Sequence, residues 1–148
     1  MSIPQSGGGP IEHHGQLAEY LSDGCKPKTD WRIGTEHEKF GYCDVSLKPL
    51  PFEGDRSIEA VLGALRDRHN WAEVCEGGKL TGLEKNGANV SLEPGGALEL
   101  SGAPLETIHE TCDEVNQHLR EVMDIASEMG VGFIGLGAAP TWSHLEMP

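Results

Sequence analysis

Apolar and polar residues alternate along residues 31–43. A period of two marks a strand whose faces differ in character. Trp31, Ile33, Thr35, His37 and Lys39 fall on one face, and Arg32, Glu36, Glu38 and Phe40 on the other. The period recurs over residues 89–101. Val90, Leu92, Leu98 and Leu100 take the even positions there, and Ser91, Glu93, Glu99 and Ser101 the odd ones. A hairpin with one apolar face must pair odd with odd, which needs a loop with an odd number of residues. Pro94-Gly95-Gly96 is such a loop. A two-residue Gly95-Gly96 turn would set Leu92 against Glu99 and mix the faces. Glu93 and Glu99 are therefore expected together on one face, backed by leucines.

Further strands are expected over residues 71–76 and 79–84. Gly77-Gly78 and Asn86-Gly87 mark tight turns between neighbouring antiparallel strands. Helical spacing appears three times. Ile11, His14, Leu17, Ala18 and Leu21 form one stripe over residues 11–21, with Gly24 placed to end it. Residues 25–30 read as a Lys/Pro linker and 47–55 as a Pro/Gly loop. Asp55 or Ser57 caps a second helix to about residue 67, with Ile58, Val61, Leu62 and Leu65 facing inward. Pro104 suits the first turn of a third helix, on which Leu105, Ile108, Cys112, Val115, Leu119, Val122, Ala126 and Met129 recur at steps of three and four, ending at Gly130. Residues 131–137 read as a buried apolar strand and 141–148 as irregular. The expected fold is α+β in a single domain over residues 1–148: an antiparallel sheet with helices on one face and glutamates on the other.

A chain of 148 residues, 37% hydrophobic and 24% charged, is long and apolar enough to bury a core. Its net charge of −13 argues against non-specific binding to nucleic acid and against docking on anionic membranes. It contains no apolar run of membrane-spanning length. Residues 1–10 are polar and Gly-rich, without the basic and apolar regions of a secretory leader, so the expected compartment is the cytoplasm. Cys25, Cys43, Cys75 and Cys112 show no CxxC spacing and are expected as buried or half-buried thiols.

If both glutamate stretches belong to one sheet, Glu36, Glu38, Glu93 and Glu99 can converge. Crowded carboxylates raise one another's pKa or recruit cations, and hard oxygen donors suit Mg²⁺ or Mn²⁺. The competing reading is a solvated acidic face. By parity His37 lies on the opposite face and is expected to be packed. His13, His14 and His118 are expected on helix surfaces, Lys79 and Lys85 facing solvent, and Cys112 inert in the core. Gly132, Gly135 and Gly137 do not form a GxGxxG fingerprint. No GxSxG elbow and no Ser-His-Asp set is present, so hydrolase chemistry through a nucleophile is not indicated.

The stretches Gly34-Thr35-Glu36-His37-Glu38-Lys39-Phe40-Gly41 and Leu92-Glu93-Pro94-Gly95-Gly96-Ala97-Leu98-Glu99-Leu100-Ser101-Gly102-Ala103-Pro104-Leu105-Glu106-Thr107 closely resemble glutamate–cysteine ligases (γ-glutamylcysteine synthetases) of the plant and proteobacterial type. Residues 108–135 continue the match. The resemblance implies a glutamine-synthetase-like catalytic fold. It also implies ATP-dependent ligation of the γ-carboxylate of glutamate to cysteine through a γ-glutamyl phosphate, the first step of glutathione synthesis. Glu36, Glu38, Glu93 and Glu99 would ligate Mg²⁺ or Mn²⁺, ATP would be the co-substrate, and Arg32 would touch an anionic substrate. Family members are considerably longer. The chain is thus expected to be an N-terminal part, inactive or nearly so alone, with sheet edges prone to association. A ligase for another amine, a non-catalytic metal-binding module and a structural domain with an acidic face are the alternatives.

Overall fold

The computed structural model describes residues 9–147. The elements are α1 (His14–Asp23), β1 (Glu36–Cys43), α2 (Ile58–His69), β2 (Ala72–Glu76), β3 (Lys79–Lys85), β4 (Ala88–Glu93), β5 (Ala97–Ser101), α3 (Ile108–Met129) and β6 (Val131–Ile134). Short 3₁₀ turns occupy Lys28–Asp30 and His144–Glu146. The strands form one six-stranded antiparallel sheet in the order β2-β3-β4-β5-β1-β6. This is the expected α+β class.

The strands from β2 to β5 form a meander of tight turns. Gly77-Gly78 and Asn86-Gly87 hold φ of 59° and 82°, and of 52° and 85°. Two successive positive φ angles give the twist that matches paired strands. Between β4 and β5, Glu93 pairs with Ala97, so the loop is the three-residue Pro94-Gly95-Gly96. Leu92 then faces Leu98, Val90 faces Leu100, and odd pairs with odd, as the alternation requires.

Leu83, Val90, Leu98 and Leu100 form the floor of the core. Helix α2 covers it with Ile58, Val61, Leu62 and Leu65, and α3 with Val122, Ile125 and Ala126. Of the two proposed caps for α2, the structure selects Ser57. Its hydroxyl accepts from the Ala60 N–H at 3.1 Å and donates to the Gly54 carbonyl at 2.7 Å. The acidic face of the sheet is the one opposite these helices.

Several boundaries and faces differ from expectation. Helix α3 starts at Ile108, not near Pro104. A capping box between Thr107 and Glu110 sets its first turn. Leu105 is instead extended, with reciprocal backbone hydrogen bonds to Ile33 of 2.8 and 2.9 Å. The buried face of α3 runs through Thr111, His118, Glu121, Val122, Ile125 and Ala126, while Ile108 and Cys112 are exposed. Its first half overhangs a cavity of about 360 Å³ lined in part by Trp71, Leu100, Glu114 and His118, so polar side chains face inward there. Cys112 is therefore not a core residue. Cys25 and Cys75 are exposed as well, and only Cys43 is half-buried. Helix α1 begins at His14 rather than residue 11 and buries none of its residues, leaving Ile11, Leu17 and Leu21 exposed. Strand β1 begins at Glu36 rather than residue 31, because residues 31–35 meet the sheet edge only through the Ile33–Leu105 bridge and the Gly102 N–H on the Thr35 carbonyl. No helix among the described residues is long and apolar enough to cross a membrane.

Candidate functional site

Register places the glutamates. Glu38 on β1 is the direct partner of Glu99 on β5, and Glu99 is in turn the partner of Ser91 on β4. The neighbouring row is Glu36, Ser101 and Asn89. Glu93 stands two residues beyond Ser91. All four glutamates thus rise from the face opposite the leucines, as the alternation predicts. They do not stand equally close. Directly opposed Cβ atoms lie about 4.5–5.5 Å apart, whereas a step of two residues along a strand is nearly 7 Å. Glu38 and Glu99 therefore form a pair, with Glu36 and Glu93 flanking it. Among the described residues no three acidic, histidine or cysteine side chains draw close enough to hold one ion together.

The polar side chains of these rows are carboxylates, hydroxyls and one amide. Glu99 is 8% exposed, and its Oε1 accepts from the Ser101 hydroxyl at 2.6 Å. Glu36 and Glu38 are exposed and Glu93 is half-buried. Ser91 Oγ and Asn89 Oδ1 are buried with no hydrogen-bond partner among the described residues. Carboxylates beside an unsatisfied hydroxyl and an unsatisfied amide oxygen fit a hard divalent cation. Sequence reading puts Ser91 on this face without a role and passes over Asn89, although its odd number on β4 places it in a glutamate row.

Phe40 continues this face past Glu38. It is buried, and Trp142 meets it edge-on with ring centroids 5.8 Å apart. Trp142 also donates its indole N–H to the Leu47 carbonyl at 3.2 Å. A side chain on Gly95 would run into Met147. Residues 142–147 thus lie against one end of the acidic face.

The opposite face carries His37 and Lys39 beneath α3. Lys39 is 1% exposed, and its Nζ donates to the carbonyls of His37 and Leu98, both at 3.2 Å. Burial pulls its ammonium down to about 8, while the charge of Glu99 acts in the opposite sense. His118 is 3% exposed, not a surface residue. Neither of its ring nitrogens has a partner among the described residues, and its ring stands edge-on to Trp71 at 6.4 Å. Burial pulls its pKa down to about 3, helped by the positive charge of Lys39, so the ring is neutral. His37 is half-buried, its Nδ1 without a partner among the described residues, packed as parity suggested.

The basic residues considered earlier lie elsewhere. Arg32 precedes β1, so strand parity does not carry it to the Glu36 face. It pairs with Glu106 at 3.1 Å and donates to the carbonyls of Thr29 and Trp31 at 3.2 and 2.8 Å. Lys79 pairs with Glu53 at 2.6 Å at the surface. Lys85 does not face solvent freely. It donates to the His69 carbonyl at 2.7 Å and sits over the Trp71 ring at 5.5 Å.

The chain is 50% identical over 132 residues to the chloroplastic glutamate–cysteine ligase of Medicago truncatula, covering 89% of this chain and 25% of that protein. The chloroplastic glutamate–cysteine ligases of Brassica juncea and Arabidopsis thaliana are 49% and 48% identical over the same length, again with 89% and 25% coverage. The chain spans about a quarter of the length of these curated relatives. Those three relatives are named as chloroplastic, which contradicts the cytoplasmic expectation. That expectation rested on lacking a secretory leader, and such a test does not separate cytoplasm from plastid. Residues 32–148 match the model of glutamate-cysteine ligase family 2, and with those relatives this establishes that the chain belongs to that family.

Proposed function

We propose that this chain supplies the metal-binding strands of an ATP-dependent ligase that joins the γ-carboxylate of glutamate to cysteine. The observation that carries the reading is the Glu38–Glu99 pair on the sheet face opposite the helices, flanked by Glu36 and Glu93, in a member of this family. A carboxylate is a poor acyl donor, and phosphorylation by ATP gives it a leaving group that the cysteine amine can displace. That route, through γ-glutamyl phosphate, needs no protein nucleophile.

An acidic face repels a nucleotide triphosphate, and both repel each other less with cations between them. Mg²⁺ or Mn²⁺ would supply that neutralisation and a fixed in-line geometry. Glu36, Glu38, Glu93 and Glu99 are the residues to hold it, with Ser101 holding Glu99 in place. Glutamate, cysteine and nucleotide pockets are completed by the remaining length that the relatives possess. The antiparallel sheet would be part of a glutamine-synthetase-like catalytic fold.

The test is calorimetric titration of Mg²⁺ into the chain and into a full-length family form, with and without ATP. A Glu36→Gln/Glu93→Gln double variant is run beside each. The reading expects saturable Mg²⁺ binding in the full-length form, weakened at least tenfold in the variant, and ATP binding only with the metal. Unchanged binding in the variant would remove these glutamates from the site. Activity with an amine other than cysteine would favour a sister ligase.

A further inference from the structure

We propose that Lys39 is a positioning residue that pins β1 to β5 behind the Glu38–Glu99 pair. This inference rests on the metal-site reading above. Glu38 and Glu99 are direct register partners. The carbonyls that accept from the Lys39 ammonium belong to His37 and Leu98, the residues immediately before Glu38 and Glu99. One buried side chain on the helix-facing side of the sheet thus bonds to both strands at the place from which both carboxylates rise on the other side. The two contacts are of equal length, 3.2 Å, and one spans 59 positions of sequence.

A fold alone does not call for this. Leu98 and Leu100 lie on that face with His37 and His118, and an apolar side chain of similar length would fill the space without a buried charge. Replacing buried charges by apolar groups of the same volume is often neutral or stabilising. A lysine kept at 1% exposure therefore serves something besides packing. The ammonium adds one hydrogen bond across the β1–β5 pair, to the Leu98 carbonyl, beyond those of the backbone ladder, and a second back to the His37 carbonyl of its own strand. The ammonium also lies behind the pair, where it and the Glu99 carboxylate attract each other. A site held in shape beforehand binds without the cost of assembling it.

The test compares Lys39→Met, which keeps length and volume, with Lys39→Arg, which keeps charge and donors. Three readouts are taken: urea unfolding, Mn²⁺ titration followed by electron paramagnetic resonance on a full-length form, and amide hydrogen exchange without metal. Lys39→Met is expected to be at least as stable as wild type, to bind Mn²⁺ at least tenfold more weakly, and to exchange the β1 and β5 amides around Glu38 and Glu99 at least tenfold faster. Amides of the β3–β4 hairpin should be unchanged, and Lys39→Arg should recover most of the Mn²⁺ affinity. Exchange and affinity that do not change in Lys39→Met would overturn the proposal. So would a Lys39→Met protein that fails to fold, since the lysine would then be a requirement of the core. If wild type binds no Mn²⁺, the metal-site reading fails, and the exchange measurement still decides whether Lys39 pins the two strands.

Discussion

Glu38 and Glu99 face each other across adjacent antiparallel strands, Glu38 exposed at one side of the row and Glu99 buried with the Ser101 hydroxyl on its Oε1. Like charges directly opposite on a sheet face are destabilising by about 0.2–1 kcal/mol. Glu38→Gln should therefore raise the metal-free stability by about that amount while lowering Mg²⁺ affinity. Urea unfolding with and without Mg²⁺ reads both. A variant less stable in both conditions would mean that Glu38 is held by favourable contacts instead.

Gly41 sits on the core face of β1 where there is no room for a methyl. A Cβ there would lie 2.7 Å from Leu50 Cδ1 and 3.0 Å from Phe133 Cε1. Gly41→Ala should cost about 1–3 kcal/mol of stability through overpacking. A thermal midpoint unchanged from wild type would show that Leu50 and Phe133 move aside freely.

The start of α3 depends on one side chain. Thr107 accepts from the Glu110 N–H at 3.2 Å, and Glu110 answers at the Thr107 N–H at 2.8 Å. Thr107→Ala should destabilise the chain by about 1 kcal/mol, and Thr107→Ser by much less. The comparison of the two variants by urea unfolding isolates the cap from the helix behind it.

His118 makes stability depend on pH. It lies between Trp71, Lys39 and His37, and its folded pKa of about 3 is well below its ordinary 6.5. The unfolded chain therefore takes a proton first. The contribution is fully present above about pH 6.5 and is lost as pH falls toward 3. Over that window one proton gives a slope of about 1.4 kcal/mol per pH unit. His118→Phe should flatten the dependence relative to wild type. An identical slope in the two proteins would show that the ring is accessible to protons in the folded state.

The parts legible in sequence were those set by period and turn chemistry. The odd-numbered loop at Pro94-Gly95-Gly96 fixed the register of β4 and β5, and with it the shared face of Glu93 and Glu99. The same parity placed Glu36 and Glu38 there. What parity cannot supply is distance between strands far apart in sequence. That β1 docks beside β5 with Glu38 opposite Glu99 is a tertiary result. The role of Lys39 is not legible in sequence for a related reason. Its position falls on the core face, but only the fold shows its ammonium reaching two strands. The apolar repeat of α3 was read from Leu105 onward, although Thr107-Ile108-His109-Glu110 carries the capping-box signal that starts the helix later. His118 was put at the surface because its type usually lies there. The cavity under the first half of α3 brings it inside.

The place of β1 between β5 and β6 also bears on how the chain assembles. A strand near the beginning of the sequence lies between two that are made much later, β5 and β6. During synthesis it waits, unpaired, while the meander from β2 to β5 closes through contacts between near neighbours. Long-range pairing is slow because the intervening loop must be closed before any contact rewards it. The acid pair is consequently a late product of folding. Pulse-labelled hydrogen exchange should find the β3 and β4 amides protected before those of β1, so that affinity for a cation arises only with the last strand to dock.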